Sequence, residues 1–205
     1  MEPLPRLYAI ADRRFGDPVD IGRRLFAGGA RLVQIRDKRA SSRRLLGEAQ
    51  ALVTAAPAGA LVVVNDRTDV ALLAGARGVH LGQGDLPAPR ARMLLGPDAL
   101  VGVSTHNVDQ ARIAGEWPVD YLAAGPVFPT ASREARDPPI GIDGLRAICR
   151  LSRLPVVAIG GIRLEGVAAL FGAGAASVAV IADLLGQGDI GSRTRRYIDV
   201  LESIR

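Results

Sequence analysis

Charged and amide side chains recur in this sequence directly after short apolar runs. Gln34, Arg36 and Lys38 occupy alternate positions of one extended segment, so all three can project to the same side. Two cations beside an amide are suited to a diphosphate, because arginine offers a planar fork of donors and lysine a compact charge. The alternative is a solvated strand end in which the cations pair with Asp37.

Two aspartates that follow successive apolar runs form the second chemical pattern. Asp66, preceded by Asn65, closes the third run, and Asp85 lies shortly after the fourth. If these runs are adjacent parallel strands, both carboxylates lie on one rim, where they offer Mg²⁺ hard oxygen ligands and leave room for substrate phosphates. The alternative is helix capping, because Asp66 precedes a predicted helix and Asp85 precedes Leu86 and Pro87. The sequence has no Cys/His spacing typical of zinc.

Ser104 and His106 follow the fifth apolar run. Ser104 can donate to a phosphate oxygen, and the lack of a Gly-x-Ser-x-Gly turn argues against a serine hydrolase. His106 has two interpretations, an acid–base group or a capping and packing residue, and its spacing favours the second. His80 lies inside an apolar run and is predicted to be a core histidine with hydrogen-bonded nitrogens.

Two further segments have the composition of phosphate sites. A long loop after the sixth run contains Thr130, Ser132 and Arg133, which could clamp an anion as the loop closes; an inert crossover is the alternative. Gly160 and Gly161 follow the seventh run and open backbone amides towards the rim. Together with the turn after the eighth run, this is the usual phosphate position in an eight-stranded barrel.

The elements that must position these side chains alternate along the chain. The eight apolar runs, predicted to be strands, are Leu7–Ala11, Leu32–Ile35, Leu61–Val64, Val79–Leu81, Leu100–Val103, Tyr121–Ala124, Val156–Ile159 and Val178–Ile181. The predicted helices are Val19–Phe26, Ser41–Val53, Thr68–Leu73, Ala88–Leu95, Val108–Ala114, Gly144–Leu151, Leu164–Phe171 and Ile190–Ile204. Continuous apolar runs covered by helices are typical of parallel strands. An open doubly wound sheet is the alternative, but polar strand ends recur around the whole chain, which favours a closed (β/α)8 TIM barrel of the α/β class.

The composition limits the remaining possibilities. A chain of 205 residues, 48% of them hydrophobic, is predicted to form a single TIM-barrel domain over residues 1–205. The net charge is +5, but the basic residues are scattered along the chain and only 4% of its residues are aromatic. This composition favours phosphorylated small molecules over nucleic acid as partners. One cysteine excludes an intramolecular disulfide, and no apolar run approaches the roughly 20 residues of a membrane span. We therefore expect a cytoplasmic protein without membrane partners; a homo-oligomer is compatible with the sequence.

Several stretches together resemble the thiamine-phosphate synthase (thiamine-phosphate pyrophosphorylase) family from Leu7 to Ile181. The matching stretches are Tyr8 to Asp12, Val33–Lys38, Val64–Arg67 with Asp69, Gly78–Asp85, Gly102–His106, Asp120 and Tyr121, Gly125–Thr130, and Ala158–Ile162. The resemblance implies a barrel enzyme, a transferase, that joins hydroxymethylpyrimidine diphosphate to hydroxyethylthiazole phosphate and releases thiamine phosphate and diphosphate.

The resemblance also assigns residues to this reaction. The pyrimidine diphosphate would be held by Gln34, Arg36, Lys38, Asn65, Ser104 and Arg133. The thiazole phosphate would be held by Thr130, Ser132, Gly161, Ile181 and Ala182. Asp66 and Asp85 would bind Mg²⁺, and Lys38, Arg36, Ser104 and Arg133 would act in catalysis. The step would be a dissociative substitution in which diphosphate leaves and the thiazole nitrogen attacks the resulting cation.

The chain departs from the family pattern at three places, one of which is an unusually charged stretch after Arg133. Thr130-Ala131-Ser132-Arg133 stands where the family usually has Thr-x-Thr-Lys, which retains the hydroxyl and the charge but exchanges lysine for arginine. Ala182 stands where serine is common, which matters little for a main-chain contact. Two alternatives stay open: a thiazole tautomerase that uses His106 as proton shuttle, and a non-catalytic ligand-binding barrel. The two carboxylates and the cations favour the synthase over the tautomerase.

Overall fold

Eight parallel strands close into a barrel in sequence order, with the last strand hydrogen-bonded to the first. The computed structural model describes residues 3–130, 137–186 and 188–204. The strands are β1 Leu7–Asp12, β2 Leu32–Arg36, β3 Leu61–Asn65, β4 Gly78–Leu81, β5 Leu100–Thr105, β6 Tyr121–Ala124, β7 Val156–Ile159 and β8 Ser177–Val180. The predicted (β/α)8 barrel is therefore confirmed, and the open sheet is excluded.

The helices cover the outside of this barrel. They are α1 Pro18–Ala27, α2 Ser42–Ala55, α3 Thr68–Ala74, α4 Ala88–Leu95, α5 Val108–Ala114, α6 Gly141–Leu151, α7 Val167–Gly172, α8 Ala182–Leu185 and α9 Ile190–Ser203. Several begin where a polar side chain accepts a free backbone N–H, as Asp17 does for α1 and Ser41 for α2. Gly75 ends α3 at φ 66°, a left-handed backbone that glycine adopts without strain. Within the described residues, none of the helices has the length and apolar character needed to cross a membrane.

Two helical predictions differ from the structure. The helix expected over Leu164–Phe171 is divided into a 3₁₀ turn, Leu164–Gly166, and α7, because Gly166 interrupts the regular helix. The short helix α8 follows β8, where the sequence predicted only a turn. Both changes lie on the side of the rim predicted to bind phosphate.

The apolar residues form two clusters separated by the barrel wall. The outer cluster lies between strands and helices and includes Leu25, Leu52 and Leu170. The inner cluster consists of Tyr8, Ile10, Leu32, Val63, Leu100, Tyr121, Ala123, Val157 and Ala179. The Tyr121 ring lies against Gly102 on β5, where an added Cβ would be only 1.9 Å from the ring carbon Cζ. The lack of a side chain at Gly102 therefore makes room for this aromatic ring inside the barrel.

Candidate active site

A cavity of about 1160 Å³ opens at the carboxyl ends of the strands. It is lined by every described residue that the sequence predicted for the site: Gln34, Arg36, Lys38, Asn65, Asp66, Asp85, Ser104, Thr130, Gly161, Ile181 and Ala182. Ser132 and Arg133 lie outside the described residues. The carboxyl ends of parallel barrel strands meet at one rim, which explains why residues so far apart in sequence converge.

The first acidic group of the cavity, Asp66, forms an ion pair with Lys38, one of the predicted binding residues. The Lys38 ammonium lies 3.2 Å from Asp66 Oδ2. Asp66 has a left-handed backbone with φ 63°, which is uncommon outside glycine, and its N–H donates to the His80 carbonyl on the neighbouring strand at 2.8 Å. This bond anchors the end of β3 to β4 and fixes the backbone from which the carboxylate projects.

The second acidic group, Asp85, lies beside Asp66. Burial raises the pKa of Asp85 and the nearby Asp66 carboxylate raises it further, whereas the N–H of Gly82, which donates to its Oδ2 at 2.6 Å, and Lys38 lower it. The negative charge of Asp66 disfavours the charge on Asp85, and a cation between the two carboxylates would relieve this repulsion. The capping interpretation is wrong for both, because Arg67 and Pro87 occupy the N-cap positions of α3 and α4.

These two carboxylates fit a magnesium ion of the expected kind. Mg²⁺ prefers oxygen ligands and commonly combines one or two carboxylates with waters and substrate phosphates. Among the residues in the described part of the chain, no group of three or more His, Cys, Asp or Glu side chains could hold a metal by itself. An ion at Asp66 and Asp85 would therefore complete its coordination with waters and a phosphorylated ligand.

Arg36 is held by an acid that the sequence did not predict as its partner. Its Nη1 donates to Asp12 Oδ2 at 2.5 Å, and Asp12 also accepts from the backbone and guanidinium of Arg14 at 2.9–3.0 Å. Burial alone would raise the pKa of Asp12, but the bonds from Arg14 and the charge of Arg36 together lower it. The predicted alternative, a pair between Arg36 and Asp37, is wrong, because Asp37 accepts from Arg13 at 2.9 Å.

A continuous chain of hydrogen bonds crosses the inside of the barrel. Gln34 Nε2 donates to the Tyr8 hydroxyl at 2.8 Å, and the Tyr8 and Tyr121 hydroxyl oxygens are 2.9 Å apart. The Tyr121 hydroxyl lies 3.0 Å from Nδ1 of His80, whose Nε2 lies 2.9 Å from Ser104 Oγ. The chain therefore connects two predicted binding residues, Gln34 on β2 and Ser104 on β5.

His80 is the central polar residue of this chain. It is 7% exposed, and burial lowers its pKa to about 4, helped by Lys38 and opposed by Asp85. A neutral ring with both nitrogens hydrogen-bonded matches the predicted core histidine. That this ring also lines the cavity and contacts Ser104 was not predicted from the sequence.

The predicted phosphate side of the rim is built from two backbone turns. Gly160 and Gly161 have φ values of 96° and 65°, and a Cβ on Gly161 would be 2.5 Å from the carbonyl oxygen of Pro129. Only glycine accommodates both the left-handed backbone and this close approach. The second turn contains Ile181 and Ala182, at the beginning of α8.

Asp183 joins these two turns. Its Oδ2 accepts from the backbone N–H of Leu164 at 3.1 Å, from Arg193 Nη2 at 2.7 Å and from the Tyr197 hydroxyl at 2.5 Å. Burial would raise the pKa of Asp183, but the bonds from Tyr197, Arg193 and Leu164 lower it. Asp183 thus connects the segment after β7 to the segment after β8 and both to α9.

His106 lies at the cavity wall near the loop that follows β6. Its Nδ1 is 2.6 Å from the Gly125 carbonyl oxygen, and its Nε2 is 3.9 Å from Asp137 Oδ2. Its backbone N–H donates to Gln110 Oε1 at 2.8 Å, which links the end of β5 to α5. The ring thus contacts the loop after β6, while the backbone N–H anchors His106 to α5.

Comparisons with known proteins point to one family. The sequence profile of the family described as thiamine monophosphate synthase matches residues 7–184. A thiamine-phosphate synthase from Koribacter versatilis (strain Ellin345) is 45% identical over 98% of this chain and 97% of that protein. A thiamine-phosphate synthase from Anaeromyxobacter dehalogenans (strain 2CP-C) is 48% identical over 98% and 90%. The solved thiamine phosphate pyrophosphorylase from Pyrococcus furiosus has a TM-score of 0.89 at 36% identity, covering 97% of this chain and 96% of that one.

Proposed function

The chain belongs to the thiamine monophosphate synthase family, and from that premise we propose how its cavity performs the reaction. The protein is a transferase that condenses hydroxymethylpyrimidine diphosphate with hydroxyethylthiazole phosphate to give thiamine phosphate and diphosphate. Residues 1–205 form one barrel domain in this proposal. The observation that carries the mechanism is the pairing of Lys38 with Asp66, beside Asp85, at one cavity mouth.

The pyrimidine diphosphate occupies the half of the rim formed by β2 to β5. Its binding residues there are Gln34, Arg36, Lys38, Asn65 and Ser104, and Arg133 of the segment after β6 is the sixth. Arg36 approaches the anion already oriented, because Asp12 holds its guanidinium. Such preorganisation lowers the entropy lost when the diphosphate is bound. Lys38 adds a second positive charge from the loop after β2.

Magnesium binds at Asp66 and Asp85 in this proposal. When bound, the ion would neutralise negative charge on the diphosphate and make it a better leaving group. The two side chains fit this task because they are adjacent, rich in oxygen donors and accessible from the cavity. Lys38 pairs with Asp66 in the protein described here and can turn its charge to the diphosphate when an ion replaces it.

The chemical step is a dissociative substitution at the CH₂ group of the pyrimidine. The carbon–oxygen bond breaks with its electron pair going to diphosphate, and the thiazole nitrogen then supplies the pair for the new carbon–nitrogen bond. Lys38, Arg36, Ser104 and Arg133 stabilise the charge that develops on the leaving group. The apolar side chains of Ile10 and Val157 line the cavity and would keep water from the carbocation. No covalent nucleophile is needed.

The thiazole phosphate occupies the opposite side of the rim. Its phosphate is held by Thr130, Ser132, Gly161, Ile181 and Ala182. The glycine-containing turn after β7 and the turn at the beginning of α8 provide main-chain N–H groups for this anion. Asp183 connects the two turns. This placement directs the thiazole nitrogen towards the pyrimidine CH₂ group across the cavity.

The proposal is tested by product formation with both heterocycles, followed as thiamine phosphate with and without Mg²⁺. We expect turnover to require Mg²⁺ and Asp85→Asn to lower kcat/KM at least about 100-fold, because the ion contributes several kcal/mol to charge stabilisation. Asp143→Asn removes an exposed carboxylate that does not line the cavity and is the matched control. Full activity of Asp85→Asn, or equal turnover with a chelator present, would refute the magnesium assignment.

A further inference from the structure

The hydrogen-bonded chain inside the barrel has a direction. Gln34 Nε2 donates to the Tyr8 hydroxyl oxygen, so Tyr8 must direct its own hydrogen to its other neighbour, the Tyr121 oxygen. Tyr121 then directs its hydrogen to Nδ1 of His80. Each hydroxyl has a single hydrogen, and the orientation of one amide therefore determines the donors along the whole series.

The same direction determines which nitrogen of His80 carries the proton. Since Nδ1 accepts from Tyr121, the N–H of the neutral ring is on Nε2 and donates to Ser104 Oγ. Ser104 is then free to donate its own hydrogen into the cavity that it lines. A doubly protonated ring would reverse the two tyrosines and bring the Tyr8 hydrogen against the Gln34 NH₂ group, donor against donor.

The two ends of the chain thus present opposite chemistry to the cavity. The Gln34 amide uses its nitrogen for Tyr8, which leaves its carbonyl oxygen as an acceptor for a ligand. Ser104, at the other end, presents a hydroxyl hydrogen to an anion. Hydroxymethylpyrimidine diphosphate has a matching pair of groups, an amino donor on the ring and acceptor oxygens on the diphosphate.

We propose that the hydrogen-bonded series from Gln34 to Ser104 couples recognition of the pyrimidine amino group to recognition of the diphosphate. His80 is the positioning residue, because its tautomer determines which groups donate at the two ends. This inference rests on the proposed function and adds which pyrimidine ring the site selects. The enzyme selects an aminopyrimidine over the same ring with an oxo group in place of the amino group. Tyr8 and Tyr121 transmit the selection.

The reason for this selection follows from a pyrimidine with an oxo group in place of the amino group. It presents an acceptor to Gln34, so the amide must turn its NH₂ group to the ligand and accept from Tyr8 instead. Every bond then reverses, Nδ1 of His80 becomes the donor, and Ser104 must donate to Nε2 of His80. The diphosphate loses the Ser104 hydrogen, so a mismatch at the ring weakens binding at the opposite end.

The first test is the tautomer of His80 in the whole protein, read from ¹⁵N NMR of the imidazole. The chain has only two histidines, and His106→Gln identifies which signals belong to His80. We expect a proton on Nε2 and a bare Nδ1, both in the free protein and with hydroxymethylpyrimidine diphosphate bound. A proton on Nδ1 in either state overturns the inference. This measurement on the free protein does not depend on turnover, so it stands apart from a failure of the proposed function.

The second test is calorimetric binding of hydroxymethylpyrimidine diphosphate and of its oxo analogue. Tyr121→Phe breaks the chain in the middle and leaves Gln34 and Tyr8 free to reverse, so we expect the preference for the amino ring to fall at least about tenfold. Tyr8→Phe provides a second break if Tyr121→Phe does not fold. Tyr197→Phe removes a buried hydroxyl elsewhere and should leave this preference unchanged. An unchanged preference in both breaking variants overturns the inference.

Discussion

Replacement of Asp183 should weaken binding of the thiazole phosphate and leave binding of the pyrimidine diphosphate nearly unchanged. Its carboxylate accepts from Leu164 in the turn after β7 and from Arg193 and Tyr197 of α9, while Asp183 itself lies in α8. The two turns proposed to hold the thiazole phosphate therefore depend on one oxygen atom, Oδ2. Within the described part of the chain, Oδ2 has no hydrogen bond to Gln34 or to the other residues proposed to bind the pyrimidine diphosphate.

The expected loss of stability can be worked out from these bonds. A hydrogen bond to a charged group contributes about 1.5–3 kcal/mol, and a buried donor left without a partner costs a similar amount. Tyr197 is fully buried, whereas Arg193 is 16% exposed and remains partly solvated after the carboxylate is removed. Asp183→Ala should therefore lower the free energy of unfolding by about 3–5 kcal/mol. Asp183→Asn keeps an oxygen acceptor without the charge and should lose about 1–2 kcal/mol.

The kinetic consequence is best measured on Asp183→Asn, which keeps the shape of the side chain. We expect the KM for the thiazole phosphate to rise about tenfold as the turns loosen, while the KM for the pyrimidine diphosphate changes by less than about twofold. Urea unfolding and steady-state kinetics with each substrate varied in turn check both parts. Equal rises in the two KM values, or an unchanged free energy of unfolding, would refute the reasoning. Asp143→Asn, which removes a carboxylate that is 95% exposed, is the control for loss of charge.

Two further predictions concern the barrel itself. Gly102→Ala places a Cβ 1.9 Å from Tyr121 Cζ, and overpacking of this kind should lower the free energy of unfolding by about 3 kcal/mol or more; a loss below about 1 kcal/mol in urea unfolding would contradict it. Asp12 has a lowered pKa, so its stabilising charge is fully present above its ordinary value of 3.8 and is lost as the pH falls through the lower folded value. Asp12→Asn should therefore be about 1–2 kcal/mol less stable than the parent at pH 7, with a smaller difference at pH 3; a difference that stays constant with pH would argue against the assigned charge.

The sequence was sufficient to predict the barrel and the rim. Each apolar run is a buried strand, and the residues that follow it fall at the carboxyl edge, where closure of the barrel brings the eight strand ends together. That is why Lys38 and Asp66, or Ser104 and Gly161, could be placed in one cavity from their positions in the chain. The predicted family resemblance is confirmed by the comparisons, whereas the roles of the individual site residues remain predictions.

The supporting contacts could not be predicted, for physical reasons that differ between residues. Tyr8 and Tyr121 lie in apolar strands and look like ordinary core residues, and their contact depends on barrel closure and on the space at Gly102. Asp12 precedes a 3₁₀ turn and looks like a cap, which it also is. Asp183 stands in a short helix that the periodicity of the sequence did not indicate. In each case at least one partner is distant in sequence, and only the folded chain brings the two side chains together.

The glycine opposite the Tyr121 ring has a consequence for redesign of this barrel. Because the ring that fills the space beside Gly102 also carries one of the transmitting hydroxyls, its packing and its chemistry reside in a single side chain. An engineer who seeks a catalyst for a different heterocycle would therefore have to exchange Gly102 and Tyr121 as a pair. Substitutions confined to residues at the mouth of the cavity would leave the preference for the aminopyrimidine ring unchanged.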